Sequence, residues 1–369
     1  MKASGLDVLS FAAGEPDFNT PEPICEAAIA AIGRGETKYT PSAGTPALRE
    51  AVVAKLLREN QIHARPEEVV VSCGAKHSIA NALLAVLDPG DEVILIAPYW
   101  MTYADQIRLA GGVPVVVETT AEQGFVPELE QIQEKISNRT KALILNSPSN
   151  PTGAAWNRAQ IKGVAALALR FGFWIISDEI YERLTYGGFK HESVAALGSE
   201  IAEQTITVTG CSKSYAMTGW RIGFAHAPLK VAKLMSSIQD QMTSNPTSFA
   251  QAGAIAALNM DANDLEAMRA EFEARRDLII GRLNQIPGVT CPVPQGAFYA
   301  FPDISSFLGG EIHDDAALAE HLLEKAHLAA IPGSVFEGPG HLRFSYATNQ
   351  ETISRGMDRL AEALKSIAP

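Results

Sequence analysis

Short apolar runs alternate with longer amphipathic stretches from about residue 66 onward. Glu68–Ser72, Glu92–Ala97, Pro114–Glu118, Ala142–Asn146, Phe173–Ser177, Thr205–Thr209 and Ile222–Ala227 are rich in Val and Ile. Their length and lack of polar alternation read as strands buried on both faces. Lys76–Leu87, Tyr99–Ala110 and Asn157–Phe171 fall between them with helical spacing of apolar positions. Strand-helix alternation of this kind predicts an α/β fold, a mainly parallel central sheet flanked by helices. Ligands bind such sheets beyond the carboxyl ends of the strands, so the chemistry is expected just after the apolar runs.

The tail has another rhythm. Helical stretches at 229–240, 247–259 and 262–286 lead into Gly296–Pro302, a helix near 315–326, a strand at 341–347 and a final helix. This pattern predicts a smaller α+β domain behind a long connecting helix. The resulting division is a large domain, 42–285, and a small one made from 1–41 and 286–369. No repeat or low-complexity linker interrupts the chain.

With 369 residues the chain is long enough for two packed domains. Its formal net charge of -12 repels nucleic acid and anionic lipid, so neither is an expected partner. Any cluster of cations must therefore be kept against the overall field. Cys25, Cys73, Cys211 and Cys291 are widely separated and form no C-x-x-C pair, and no histidines sit at zinc spacing beside them. No metal site is expected, and reduced thiols fit a cytoplasmic protein. The first residues lack a signal-peptide pattern. The longest apolar region, Gly163–Ile176, contains Arg170 and is too short to span a membrane.

Unusual residues gather where the sheet argument places a site. In SKSYAMTGWRIG, from Ser212 to Gly223, Lys213 follows a strand and Arg221 comes shortly after. A lysine beside another cation loses proton affinity and becomes a nucleophile toward carbonyls. Arg221 supplies that neighbour and a fork for phosphate, although either residue alone also reads as ordinary surface. Gly74-Ala75-Lys76 follows a strand and opens a helix, a backbone geometry suited to an anion. Asp178 ends a strand, where it either faces a ligand or caps the next turn. Asn150 stands before Pro151 as turn residues often do, and Trp100 is equally readable as a core aromatic at a helix start. Gly33-Arg34-Gly35 begins like a dinucleotide fingerprint, but Lys38 takes the third glycine position and no strand precedes it.

Taken in order, AGEPDF (13–18), TKYTPSAG (37–44), NSPSNPTG (146–153), SDEIYE (177–182), the Lys213 segment and HLRFSYAT (341–348) resemble the class I, fold-type I aminotransferases. The resemblance covers almost the whole chain and lies closest to the aspartate and prephenate aminotransferase subgroup. It implies pyridoxal 5'-phosphate as cofactor, bound covalently to Lys213, which would also carry the proton between substrate and cofactor. Asp178 would pair with the pyridine nitrogen and keep it protonated. Tyr181 and Asn150 would reach the phenolic oxygen, and Trp100 would stack on the ring. Gly74, Ala75, Ser212 and Arg221 would hold the phosphate, with Tyr39 of a partner subunit, so that a homodimer shares its sites.

The same resemblance gives the substrate. Arg343 would bind the α-carboxylate, with Gly14 adding a backbone contact. Leu342, Phe344 and Tyr346 alternate to one strand face and leave Arg343 on the other. Lys76 opposes its own helix dipole, so local physics does not choose a lysine there. In the resembling subgroup a lysine at this position, expected from the other subunit, binds the distal carboxylate of dicarboxylic substrates. The implied reaction is transamination between aspartate or glutamate and 2-oxoglutarate or oxaloacetate. The alternative is amino transfer to prephenate; a β-lyase is disfavoured by the two cations. A cofactor-sensing regulator would carry a DNA-binding domain in front, and this chain starts inside the catalytic fold. The subgroup also carries a further N-terminal segment, absent here before residue 1, that aids closure over substrate.

Overall fold

Seven of the apolar runs form one sheet. A computed structural model describes residues 5–367; the first four residues of the segment 1–41 and the last two of 286–369 lie outside the described residues. The chain opens with β1 (Leu9–Ser10), α1 (Glu22–Gly33) and α2 (Pro46–Asn60). β2 (Val69–Ser72), α3 (Ala75–Val86), β3 (Glu92–Ile96), α4 (Thr102–Leu109), β4 (Val113–Val117), α5 (Leu129–Glu134) and β5 (Thr140–Asn146) follow. α6 (Arg158–Phe171), β6 (Trp174–Asp178), α7 (Ser199–Ala202), β7 (Thr205–Gly210) and β8 (Gly223–His226) complete this part.

The strand order is β2-β8-β7-β6-β5-β3-β4. All neighbours are parallel except β8, which runs antiparallel to both β2 and β7. Val93, Leu95, Ile144 and Ile176 pack on one face with Ile79 and Leu83 of α3, whereas Ile94, Leu143, Leu145 and Ile175 meet Ile161 and Val164 of α6. Successive residues of a strand point to opposite faces, so covering both faces requires unbroken apolar runs. Each such side chain contributes about 1.5–3 kcal/mol on burial. Asn146 lies beside Asp178, and Asp178 beside Val208, which brings the carboxyl ends of β5, β6 and β7 level.

The rest comprises α8 (Leu229–Met242), α9 (Ser248–Leu258), α10 (Ala262–Leu283), β9 (Tyr299–Ala300), α11 (Asp315–Lys325), β10 (Leu328–Ala329), β11 (Ile331–Pro332), β12 (Leu342–Ser345) and α12 (Gln350–Ile367). β11, β12 and β9 form an antiparallel sheet in that order. β1 pairs in parallel with β10, which ties the N-terminal segment to the C-terminal part. Phe11, Phe298, Phe344, Met357 and Leu360 share a separate apolar core there. No helix of the described residues is long and apolar enough to cross a membrane.

Two expectations shift. The helix expected from Tyr99 starts at Thr102, and the Tyr99 N–H donates to the Phe336 carbonyl. The helix expected to reach 286 ends at Leu283, where the Asn284 side chain brackets the N–H and carbonyl of Cys291. Every residue of β12, Arg343 included, is buried.

Candidate active site

A cavity of about 470 Å3 opens at the carboxyl ends of the parallel strands. From the residues singled out in the sequence it gathers Gly14, Ala75, Lys76, Trp100, Asn150 and Asp178. It also takes in Tyr181, Ser212, Lys213, Arg221 and Arg343. Gly74 lies just behind Arg221. Tyr39 is not among the lining residues, and its side chain is 92% exposed.

Lys213 follows β7 by way of the Cys211–Ser212 turn. Its amine donates to the Gly14 carbonyl and lies 5.9 Å from the Tyr181 ring centre. Burial pushes its pKa down to about 8; Glu15 opposes the change, and Arg221 adds a smaller downward push. The cause thus differs from the one expected: loss of water outweighs the neighbouring cation.

Asp178 closes β6 with its carboxylate fully enclosed. Burial raises its pKa to about 6, even though the Tyr103 hydroxyl donates to it at 2.6 Å and the Ile180 N–H at 3.2 Å. The Ile180 contact is a turn cap, so the local role read from the sequence is present too. No helix follows, however, and Oδ2 is held by Tyr103 beside the cavity.

The SDEIYE segment sends alternate groups to two places. Asp178 and Tyr181 line the cavity. Glu179 and Glu182 turn away into a buried polar cluster, where Ser177, Ser193 and His191 contact Glu179. Lys55, Asn60 and Thr209 contact Glu182. Among the described residues, Glu179, Glu182 and His191 are the one group spaced closely enough for a cation. The Lys55 ammonium already sits on Glu182 and on Asn60, so this cluster carries its own counter-charge.

Gly74 is the N-cap of α3 at φ +86°. A Cβ there would stand 2.5 Å from Arg221 Nη2, so only glycine lets the guanidinium lie against the helix start. Gly223 works the same way below it: a Cβ would meet the Ala75 nitrogen at 2.1 Å. Arg221 also donates to the Thr218 carbonyl at 2.9 Å. The result is a helix N-terminus with an arginine fork beside it, an anion cradle.

Arg343 donates to Asn150 Oδ1 and to the Ala12 carbonyl, each at 2.9 Å, while its buried Nε has no partner. Its guanidinium lies 4.6 Å from the Tyr299 ring centre and 4.9 Å from that of Phe336. A buried arginine with an unused donor is an anion receptor. Asn150 occupies its turn and, with its oxygen committed to Arg343, offers the cavity its NH2. Trp100 lies in the link before α4, edge-on to Tyr103 at 5.4 Å, and the Lys76 amine sits 4.7 Å from its ring centre. Lys76 therefore lines the same cavity as Arg343 of its own chain.

Among the cavity residues that escape a sequence reading are Tyr103, the partner of Asp178, and Tyr299, whose hydroxyl is 2.8 Å from that of Tyr181. Tyr103 comes three residues after Trp100, and Tyr299 sits in an apolar run after Gly296, so either reads as core.

Residues 6–360 match the aminotransferase class I and II family. The chain is 49% identical to a probable aspartate/prephenate aminotransferase of Aquifex aeolicus, covering 100% of this chain and 93% of that one. The aspartate aminotransferase of Rhizobium meliloti superposes with a TM-score of 0.96 at 42% identity, over 99% of this chain and 93% of that one. That of Thermus thermophilus, solved with maleate, gives 0.94 at 44% identity, over 98% and 93%. A cavity joining a half-buried lysine, a buried carboxylate, an anion cradle and a receptor arginine thus sits in a fold shared with these enzymes along its length, and the chain belongs to the class I and II aminotransferases.

Proposed function

We propose that this enzyme moves the amino group of a dicarboxylic amino acid, aspartate or glutamate, to a 2-oxo acid such as 2-oxoglutarate or oxaloacetate. The carrying observation is that Lys76 and Arg343 share one cavity with Lys213 in a chain of net charge -12. Two cations kept against that field match two carboxylates on one substrate. A relative solved with maleate, itself a dicarboxylate, supports this reading. Prephenate also carries two carboxylates, and a relative is named for both substrates, so amino transfer to prephenate is the second reading.

Pyridoxal phosphate is the cofactor of this family, and when bound it supplies an electron sink for the bond broken at the substrate Cα. The residues present fit it. The cradle of Gly74, Ala75, Ser212 and Arg221 suits its phosphate. Asp178, buried and short of a cation, suits a protonated ring nitrogen. Tyr181 and the Asn150 NH2 suit its phenolic oxygen, and Trp100 offers a ring face. Lys213 Nζ would hold the cofactor covalently in the resting enzyme and, once displaced by the incoming amino acid, would be the free amine that accepts the proton from the substrate Cα. Arg343, with the Gly14 backbone, anchors the α-carboxylate and turns the Cα–H bond toward that amine. Lys76 reads the distal carboxylate.

The exposed Tyr39 completes the phosphate site of a partner subunit in a homodimer. The segments 1–41 and 286–369 act as a small domain that flanks the 42–285 domain across the cavity, and the enzyme works in the cytoplasm.

A panel of amino donors and oxo acceptors that includes prephenate tests this, with Lys213→Ala and Lys76→Ala beside the parent. Lys213→Ala is expected to lose nearly all turnover. Lys76→Ala is expected to weaken kcat/KM for aspartate and glutamate about 10- to 150-fold, the worth of a charged contact, while sparing alanine. Equal losses for acidic and neutral donors would remove Lys76 from the substrate site.

A further inference from the structure

Tyr299 is fully buried, lines the cavity, and has one hydrogen-bond partner among the described residues, the Tyr181 hydroxyl at 2.8 Å. The Tyr181 hydroxyl likewise has only that of Tyr299 among the described residues. Two hydroxyls joined by one hydrogen bond carry two protons: one lies in the bond and the other must point elsewhere. Which tyrosine donates decides what Tyr181 can offer the cavity. If Tyr181 donates to Tyr299, it turns only an oxygen lone pair toward a ligand. If Tyr299 donates, the Tyr181 proton is free to point inward.

The surroundings select between these. The Arg343 guanidinium lies against the Tyr299 ring at 4.6 Å, and the Tyr299 oxygen is 3.5 Å from where a side chain on Gly14 would begin. Turned away from Tyr181, the Tyr299 proton meets no acceptor among the described residues, whereas a proton on Tyr181 can turn into the cavity, so the bond is satisfied with Tyr299 donating. The fold keeps the arrangement fixed. Tyr299 pairs with Ser345 across β9 and β12, two residues from Arg343, and the Phe298 ring packs on both tyrosines at 5.5 and 4.8 Å.

We infer that Tyr299 is a positioning residue that donates to Tyr181 and so commits the Tyr181 proton to the cavity, toward the cofactor's phenolic oxygen. A hydroxyl that accepts one hydrogen bond becomes a better donor of the next. Tyr299 therefore links the arginine that binds substrate to the tyrosine that faces cofactor. The inference rests on the role proposed for Tyr181.

The test is the pH titration of the absorption band of enzyme loaded with pyridoxal phosphate, in Tyr299→Phe, Tyr181→Phe and the double variant. Phenylalanine keeps both rings, and circular dichroism checks folding. A donor at the phenolic oxygen favours its unprotonated form, so Tyr181→Phe is expected to raise the apparent pKa of the band. Tyr299→Phe should raise it in the same direction, by about threefold to tenfold in proton affinity, and add nothing in the Tyr181→Phe background. If Tyr181→Phe leaves the titration in place, the role of Tyr181 fails and the inference with it. If Tyr181→Phe shifts it but Tyr299→Phe does not, or shifts it equally in both backgrounds, the inference alone is overturned.

Discussion

Lys213 must stay folded among apolar and aromatic groups and still react as an amine. Burial does both, because the medium that disfavours its charge also leaves a neutral nucleophile near physiological pH. The sign is fixed by the pKa of about 8: the reactive neutral form grows as pH rises through that value and is complete above it. Competitive acylation of cofactor-free protein at Lys213 should therefore rise to a plateau just above it. Half-maximal labelling near the ordinary lysine value of about 10.4 would contradict the burial argument. Lys213, Asp178 and Arg343 were legible in the sequence through the motif blocks that carry the family resemblance, since each alone also reads as a surface or capping residue. Tyr103 and Tyr299 were not, since a tyrosine suits a buried run whether or not its hydroxyl has work to do. The cause of the Lys213 shift was also out of reach, because burial is a property of the packed cavity and Arg221 was the only neighbour the sequence offered.

At the scale of elements, the β6 end is braced from behind. Lys55 of α2 reaches Glu182, and Asn60 touches both Glu179 and Glu182, so the helix grips the segment that carries Asp178 and Tyr181. Burial works against ionisation of Glu182, but Lys55, His191 and Asn60 outweigh it and hold its pKa at about 2. A lowered carboxyl contributes stability that is present above its unfolded pKa of about 4.3 and is lost as pH falls toward 2. Lys55→Met strands the Glu182 carboxylate in the interior and should cost roughly 3–5 kcal/mol in urea unfolding. Lys55→Met with Glu182→Leu should recover part of that cost, and no recovery would mean the brace is not an ion pair. Parallel strands were readable because covering both faces forces unbroken apolar runs. β1 and β10 were not: two-residue strands leave no period, and their pairing joins residues more than three hundred positions apart. The brace was hidden for a related reason, since nothing in α2 states that Lys55 reaches a strand end so far along the chain.

At the scale of the whole molecule, the question is which site residues come from one chain and which need two. Lys76, Arg343 and Lys213 line one cavity of a single chain. Tyr39 stands in solvent, 92% exposed, as a residue destined for another subunit's phosphate would. Mixed dimers separate the two cases. When Tyr39→Ala chains pair with Lys213→Ala chains, one site has an intact Lys213 and receives the partner's Tyr39, whereas the other site lacks both. Such heterodimers should recover about half the parent turnover, one good site of two. Lys76→Ala chains paired with Arg343→Ala chains should gain nothing over either parent, because each site then lacks one of its own cations. Rescue in that second pair, measured in purified heterodimers with aspartate, would place Lys76 in the neighbouring subunit's site and undo the single-chain assignment. Failure of the first pair would leave Tyr39 without a role at the phosphate, since its exposed ring would then serve neither site.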